Sequence, residues 1–105
     1  MEGVKRLSEK EIKELKKEIR QRDRYRCVID GKHTGEVHEV LQKSSGAPRS
    51  SVVFRKEYMA CVCNQCHFDA HHGGKKIEIN GKILLVLQER FGYRYPKVMH
   101  DKFKF

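Results

Sequence analysis

The segment Cys61–Gly74 constrains the fold of this chain more than any other stretch. Its first twelve residues hold three of the four cysteines and three of the six histidines of the sequence. Cys63 and Cys66 have the C-x2-C spacing of a metal knuckle. His67 and His71 are four residues apart, so a helix would present both side chains from one face. This segment can therefore supply thiolates to one metal ion and imidazoles to another.

The size of the chain makes a bound metal useful for folding. With 105 residues, 38% hydrophobic residues and a mean hydropathy of −0.74, the sequence predicts one domain with a modest core. The sequence contains no run long enough to span a bilayer and no secretory signal, so we expect a soluble cytoplasmic protein without a membrane partner. In that compartment, four cysteines favour metal ligation over disulfides.

The net charge of +9 is unevenly distributed along the chain. Residues 27–40 and 57–74, where most of the candidate metal ligands lie, each have a net charge of −2, whereas the rest of the chain is basic. This pattern suits a polyanionic partner such as DNA, although a solvated basic surface would also produce it. Arg49, Arg55 and Lys56, in a basic stretch that lacks acidic residues, are the candidate phosphate contacts.

Local patterns predict a helix and a hairpin before the metal-ligand segment. Residues 8–22 are expected to be helical, because Ser8 and Glu11 have capping-box spacing and apolar residues repeat on one stripe. Residues 34–40 are β-prone, and the apolar residues up to Cys63 suit a returning strand. These patterns together predict a strand–loop–strand hairpin, followed by a helix that carries His67 and His71.

The sequence after the glycine pair allows two predictions. Asn80-Gly81 with flanking alternation is typical of a hairpin turn, whereas the apolar spacing further on is helical and ends at Gly92. We favour a helix over about residues 82–91. Residues 93–105 are basic and aromatic, and are expected either to lie on the core or to be partly disordered.

Three pieces of the sequence carry a resemblance to a known family. They are Cys27-x2-Asp30, Val37-His38-Glu39-Val40 and Cys63-x2-Cys66-His67-x3-His71. Together they resemble an HNH endonuclease of the ββα-metal (His-Me finger) class, of the small phage or prophage type, over roughly residues 20–75. The resemblance implies an α+β fold in one domain, residues 1–105, in which a ββα-metal finger with a zinc knuckle is flanked by N- and C-terminal helices. A phage-encoded member would act in the host-cell cytoplasm.

The first site that the resemblance implies is a structural zinc knuckle. Its thiolates are Cys27, Cys63 and Cys66. Asp30 stands where a fourth cysteine is expected, and because a carboxylate can ligate zinc, the prediction is a site of three cysteines and one aspartate. His33 and Cys61 are the alternative fourth ligands.

The second implied site is catalytic and binds a divalent cation, Mg²⁺, Mn²⁺, Ni²⁺ or Zn²⁺. His38 and His71 match the metal-holding positions of the family, and His67 is the natural third ligand. Glu39 occupies the place where most of the family has a second histidine. Glu39 is therefore predicted either as the base that activates water or as a metal ligand that leaves His38 as the base. No residue is assigned to the family's middle asparagine, which orients the histidine base.

The resulting prediction is a metal-dependent HNH endonuclease that nicks or cuts DNA phosphodiester bonds with weak sequence preference and contains a structural zinc. The alternative is a zinc-stabilised DNA-binding or recombination-accessory protein without catalysis, which the glutamate at position 39 permits. Thiol–disulfide exchange fits poorly, because the redox C-x-x-C motif usually begins a helix in a βαβ unit. The oligomeric state does not follow from the sequence.

Overall fold

A computed structural model describes residues 7–41 and 55–105 of the chain, which form an α+β fold. The elements in chain order are α1 (Glu9–Arg22), β1 (Val37–Glu39), β2 (Met59–Cys61), α2 (Asn64–His71), α3 (Lys76–Phe91) and α4 (Lys97–Phe103), with 3-10 turns at Lys56–Tyr58 and Gly73–Lys75. Arg49, one of the predicted phosphate contacts, lies outside the described residues. None of the helices within the described ranges combines the length and apolarity that crossing a bilayer requires.

Helix α1 begins at the predicted capping box. The Ser8 hydroxyl accepts a hydrogen bond from the Glu11 backbone N–H at 3.1 Å, and the Glu11 carboxylate accepts one from the Ser8 backbone N–H at 3.0 Å. Two of the unpaired N–H groups of the helix start are thereby satisfied. Ile12 and Ile19 then bury the apolar stripe of the helix against the hairpin. The helix predicted over residues 8–22 is confirmed.

The hairpin has two differently occupied faces. β1 and β2 are antiparallel, with His38 opposite Ala60, and successive side chains point to opposite faces of such a pair. Val37 packs towards α1 together with Met59 and Cys61. The His38 ring instead contacts side chains of α2 and α3. The small sheet therefore lies between α1 on one face and α2 with α3 on the other.

A buried ion pair fixes the end of α1 to this sheet. The Arg22 guanidinium donates to both carboxylate oxygens of Asp23, at 2.8 and 3.0 Å, and also to the Met59 carbonyl at 2.7 Å. Asp23, only 4% exposed, accepts the Cys61 backbone N–H at 2.9 Å. The carboxylate and the β2 backbone thus satisfy each other in a place that water does not reach.

Helix α3 is longer than the sequence predicted. It starts at Lys76 instead of near residue 82, and the Asn80-Gly81 pair lies inside it instead of forming a hairpin turn. The turn preference of this dipeptide is local, and the tertiary burial of an apolar helix face overrides it. That face consists of Ile79, Ile83, Leu84 and Leu87.

The C-terminal residues are packed on the core. Tyr95 and Phe103 are buried, at 8% and 5% exposure, and residues Lys97–Phe103 form α4. Gly81 allows α4 to approach α3 closely, because a methyl group at that position would overlap the Phe103 carbonyl. Of the two expectations for residues 93–105, packing against the core is the one observed.

Candidate metal centres

Four side chains from three parts of the fold form a thiolate group. Their ligand atoms lie within 4.8 Å of one another, and the group could hold a metal ion. Its members are Cys27, Asp30, Cys63 and Cys66. The turn that follows Cys27 is tight, since the Gly31 N–H donates to the Cys27 carbonyl at 2.9 Å and Gly31 has φ of +78°. The Ile29 N–H also points at the Cys27 sulfur, 3.4 Å away, so the thiolate would be stabilised by backbone dipoles.

The carboxylate of Asp30 is turned towards the thiols. Its Oδ2 lies 3.1 Å from the Cys63 sulfur and 3.7 Å from the Cys66 sulfur. Its Oδ1 accepts the Lys32 backbone N–H at 3.0 Å. This backbone bond, with the Cys63 contact as the second cause, lowers the pKa of Asp30 to about 2. Asp30 is therefore an ionised oxygen donor at neutral pH, as a fourth zinc ligand requires.

The two alternative fourth ligands lie elsewhere. The His33 ring is stacked on Tyr25, with 6.2 Å between ring centroids. The Cys61 sulfur lies on the α1 side of the sheet, 4.0 Å from the Ile19 carbonyl, and is fully buried. Neither belongs to the thiolate group.

Burial makes the thiols of Cys63, at the start of α2, and Cys66, on α2, harder to deprotonate. Desolvation is the largest cause that raises the pKa of both Cys63 and Cys66. Without a metal these thiols are protonated and weak nucleophiles, so the site is unsuited to thiol–disulfide exchange. Zinc binding would release their protons, which makes zinc affinity dependent on pH.

Three histidines form the second group that could hold a metal ion. His38 comes from β1, and His67 and His71 come from consecutive turns of α2. Their ring centroids are 4.8 to 5.2 Å apart. His38 is fully buried, His67 is half-buried and His71 is exposed. The group therefore has a closed inner end and an open outer end, where a ligand could reach an ion.

The orientation of the His38 ring is fixed by Asn80. The Asn80 amide nitrogen donates to the carbonyls of Ala70 and Lys76, at 3.0 and 2.8 Å, so its oxygen must face His38. His38 Nε2 lies 2.7 Å from that oxygen and therefore carries the proton. The unprotonated Nδ1 is buried and has no hydrogen-bond partner among the described residues. A buried lone pair without a donor is what a metal ion would satisfy, and the residues present thus fit one.

His67 is held by a carboxylate. Its Nδ1 lies 3.4 Å from Glu36 Oε1. If Nδ1 carries the proton that is shared with Glu36, Nε2 retains the lone pair. In this arrangement a carboxylate that does not itself bind the metal orients a metal-binding imidazole.

The buried histidine is neutral at physiological pH. Burial lowers the pKa of His38 to about 4, and the neighbouring rings of His67 and His71 act in the same direction, while the Asn80 bond opposes the shift. Burial is also the first cause of the lowered pKa of His71. Neutral imidazole is the form that binds metals, so the group is ready to ligate at pH 7.

The structure does not bring Glu39 to this group. Because side chains alternate along β1, Glu39 faces α1, where its carboxylate lies 3.8 Å from the Lys16 ammonium. His38, the adjacent residue, faces the opposite side. Glu39, predicted to act at the metal site as base or ligand, is therefore not among the residues of the histidine group, and the carboxylate that contacts this group is Glu36, through His67.

The two described phosphate-contact candidates lie on the surface. Arg55 is 3.1 Å from the Glu57 carboxylate, and the Lys56 ammonium is 3.9 Å from the Glu18 carboxylate. Both basic side chains are 55% exposed. Exposed ion pairs of this kind are worth at most about 1 kcal/mol, so either cation can exchange its partner for a phosphate.

Asn80 and Glu36 are the functional candidates that sequence reasoning missed. Asn80 had a detectable signal, since it stands four and seven residues before Leu84 and Leu87 and is therefore a polar residue on an apolar helical stripe. For Glu36 the sequence offers no comparable signal, because its contact with His67 depends on how α2 packs on the hairpin.

Comparisons of the chain with protein-family models, with curated proteins and with solved structures give no match.

Proposed function

We propose that this chain is a metal-dependent endonuclease of the ββα-metal class that hydrolyses DNA phosphodiester bonds, with a structural zinc in the thiolate group. The observation that carries the proposal is the histidine group, in which ligand atoms of His38, His67 and His71 lie within 4.8 Å of one another. Within the described residues, the buried Nδ1 of His38 has no hydrogen-bond partner. The order β1, β2, α2 and the basic composition of the chain support it.

In this proposal the two metal groups have different tasks. Cys27, Asp30, Cys63 and Cys66 hold zinc and fix the start of α2 against the Cys27 turn. His38, His67 and His71 hold a divalent cation, which when bound would polarise a phosphate and stabilise the leaving oxygen. Asn80 accepts the His38 Nε2–H and so leaves Nδ1 as the nitrogen that could bind an ion, and the two hydrogen bonds that Asn80 donates keep its amide from turning.

Hydrolysis also needs a proton acceptor for the attacking water. Glu36 is the carboxylate in contact with the histidine group, and it is 43% exposed on its side chain, so water can reach it. We therefore assign this role to Glu36. Glu39, the last residue of β1, faces Lys16 and serves as the matched comparison.

Supercoiled plasmid incubated with zinc-loaded protein and Mg²⁺, Mn²⁺, Ni²⁺ or added Zn²⁺ tests the activity. We expect nicked or linear product with at least one of these ions, and none with His38→Ala or His71→Ala, which excludes a contaminating nuclease. DNA binding in gel-shift assays without cleavage under any ion would refute the nuclease proposal. That result would instead support the zinc-stabilised DNA-binding alternative.

Two isosteric variants then test the assigned base. We expect Glu36→Gln to lower the cleavage rate by about 100-fold or more, the range of general-base catalysis. Glu39→Gln should change the rate by less than about threefold, because that side chain does not contact the histidines. The reverse result would return the base role to Glu39.

A further inference from the structure

An exposed aromatic pair lies beside the histidine group, with Phe68 on α2 and His72 directly after the helix. Phe68 is 60% exposed, although large apolar side chains are usually more covered. Its ring centroid lies 4.7 Å from that of His72, with 40° between the ring planes. The His72 ring is in turn 6.2 Å from the His71 ring. The pair thus continues the outer end of the candidate ion site along the protein surface.

We propose that Phe68 and His72 form a stacking site for an unpaired nucleobase, so that the substrate is single-stranded or locally unpaired DNA. This inference rests on the proposed nuclease function and names its substrate class. Every base offers a π-face to an exposed aromatic ring, whereas a base inside a duplex is already stacked on its neighbours. A base on Phe68 would place the adjoining backbone phosphate towards His71.

The surroundings of the pair favour a nucleotide over an apolar protein partner. Phe68 is the one large apolar residue that α2 exposes. A single exposed ring is much smaller than the contiguous apolar patch that marks a protein interface. Lys75 and Lys76 follow after two glycines and are both exposed, so they can contact phosphates next to the stacked base. The nearest carboxylate along the helix, that of Asp69, accepts a hydrogen bond from Gln65 at 3.1 Å.

Binding measured without turnover tests the inference. The zinc-loaded His71→Ala chain is used as the parent, and its affinity for a fluorescent single-stranded oligonucleotide and for the matching duplex is measured by anisotropy. Adding Phe68→Ala should weaken single-strand binding by about tenfold, the lower part of the range for loss of one stacked base, and duplex binding by less than about twofold. Adding Phe68→Tyr, which keeps the ring, should leave both affinities within about twofold of the parent.

Val98→Ala is the matched control, since Val98 is an equally exposed apolar residue, at 61%, on α4. It should have no effect on either affinity. A 2-aminopurine base in the oligonucleotide should be quenched by the parent and not by the Phe68→Ala chain. Equal affinity of the parent and the Phe68→Ala chain for single strands would overturn the stacking site alone. An equal loss of affinity for single strands and for duplex on adding Phe68→Ala would do the same. Failure of the parent to bind any DNA would overturn the proposed function as well.

Discussion

The role of Asn80 leads to a prediction that can be worked out from its hydrogen bonds. Asn80 is 1% exposed and joins His38 on β1, Ala70 on α2 and its own helix α3. Asn80→Ala removes the acceptor of His38 Nε2–H and a donor to the Ala70 carbonyl, both in the interior. Each buried polar group left without a partner costs about 1–3 kcal/mol. We therefore expect the free energy of unfolding to fall by about 3 kcal/mol, out of the roughly 5–15 kcal/mol of a small domain.

Urea unfolding of zinc-saturated protein, followed by far-ultraviolet circular dichroism, measures this loss. Glu89→Ala, at an exposed position of the same helix, is the control and should change stability by less than about 0.5 kcal/mol. Calorimetric titration with Ni²⁺ should show about 10- to 100-fold weaker binding at the histidine group in Asn80→Ala, because a partner that orients a ligand is lost.

Nuclear magnetic resonance provides the decisive check on the same reasoning. Long-range ¹H–¹⁵N spectra of the ion-free histidine group should show His38 protonated on Nε2 and not on Nδ1. A His38 ring protonated on Nδ1, or a stability loss for Asn80→Ala below about 1 kcal/mol, would contradict the assignment of the buried lone pair.

Three further predictions concern charge, pH and metal content. Arg22→Ala should lower the free energy of unfolding by about 3 kcal/mol in urea titrations, because it leaves the buried Asp23 carboxylate without its cation. Lys97→Ala, which removes an exposed ion pair whose lysine is 87% exposed, should cost less than about 0.5 kcal/mol. Equal effects of the two variants would refute the stabilising role of the buried ion pair. The His38 pKa of about 4 lies below its unfolded value near 6.5, so the unfolded chain binds more protons than the folded chain between these pH values. With no ion at the histidine group, the fold should therefore lose up to about 3 kcal/mol of stability as the pH falls from 6.5 towards 4. A His38→Gln variant with an equally steep pH dependence would contradict this prediction. Zinc at a thousandfold excess over its dissociation constant should stabilise the fold by about 4 kcal/mol. For a chain of this size, that free energy raises the melting temperature by roughly 15–30 °C. A melting temperature that chelation does not change would exclude a structural zinc.

The sequence was informative where chemistry and spacing are local. The capping box at Ser8 and Glu11 predicted the start of α1, because both partners lie within four residues. The C-x2-C and His-x3-His spacings predicted one pair of ligands in each group, because these side chains lie within four residues of one another. The family resemblance added Cys27, Asp30 and His38, and the structure brings them to the same two groups.

The remaining features depend on tertiary packing. Glu39 was assigned to the metal site because it follows His38, yet the face that each residue takes is decided by which side of the hairpin α1 covers. Asn80 lay outside the helix favoured over about residues 82–91, because Asn-Gly is a strong local signal for a turn, whereas the burial of α3 placed it in a helix. Sequence spacing cannot show that position 80 meets position 38, since the two positions are 42 residues apart and β2, α2 and two 3-10 turns lie between them.

The eight residues of α2 also have a thermodynamic consequence. Cys66 lies in the first turn of this helix, His67 follows directly and His71 comes one turn later, so ligands of both groups lie on one helix about 12 Å long. An ion in the thiolate group that orders the helix would also reduce the entropy cost of ordering the imidazoles for a second ion. By reciprocity, the factor by which zinc strengthens ion binding at the histidines equals the factor by which that ion strengthens zinc binding. Two ions bound at these groups would then bind cooperatively.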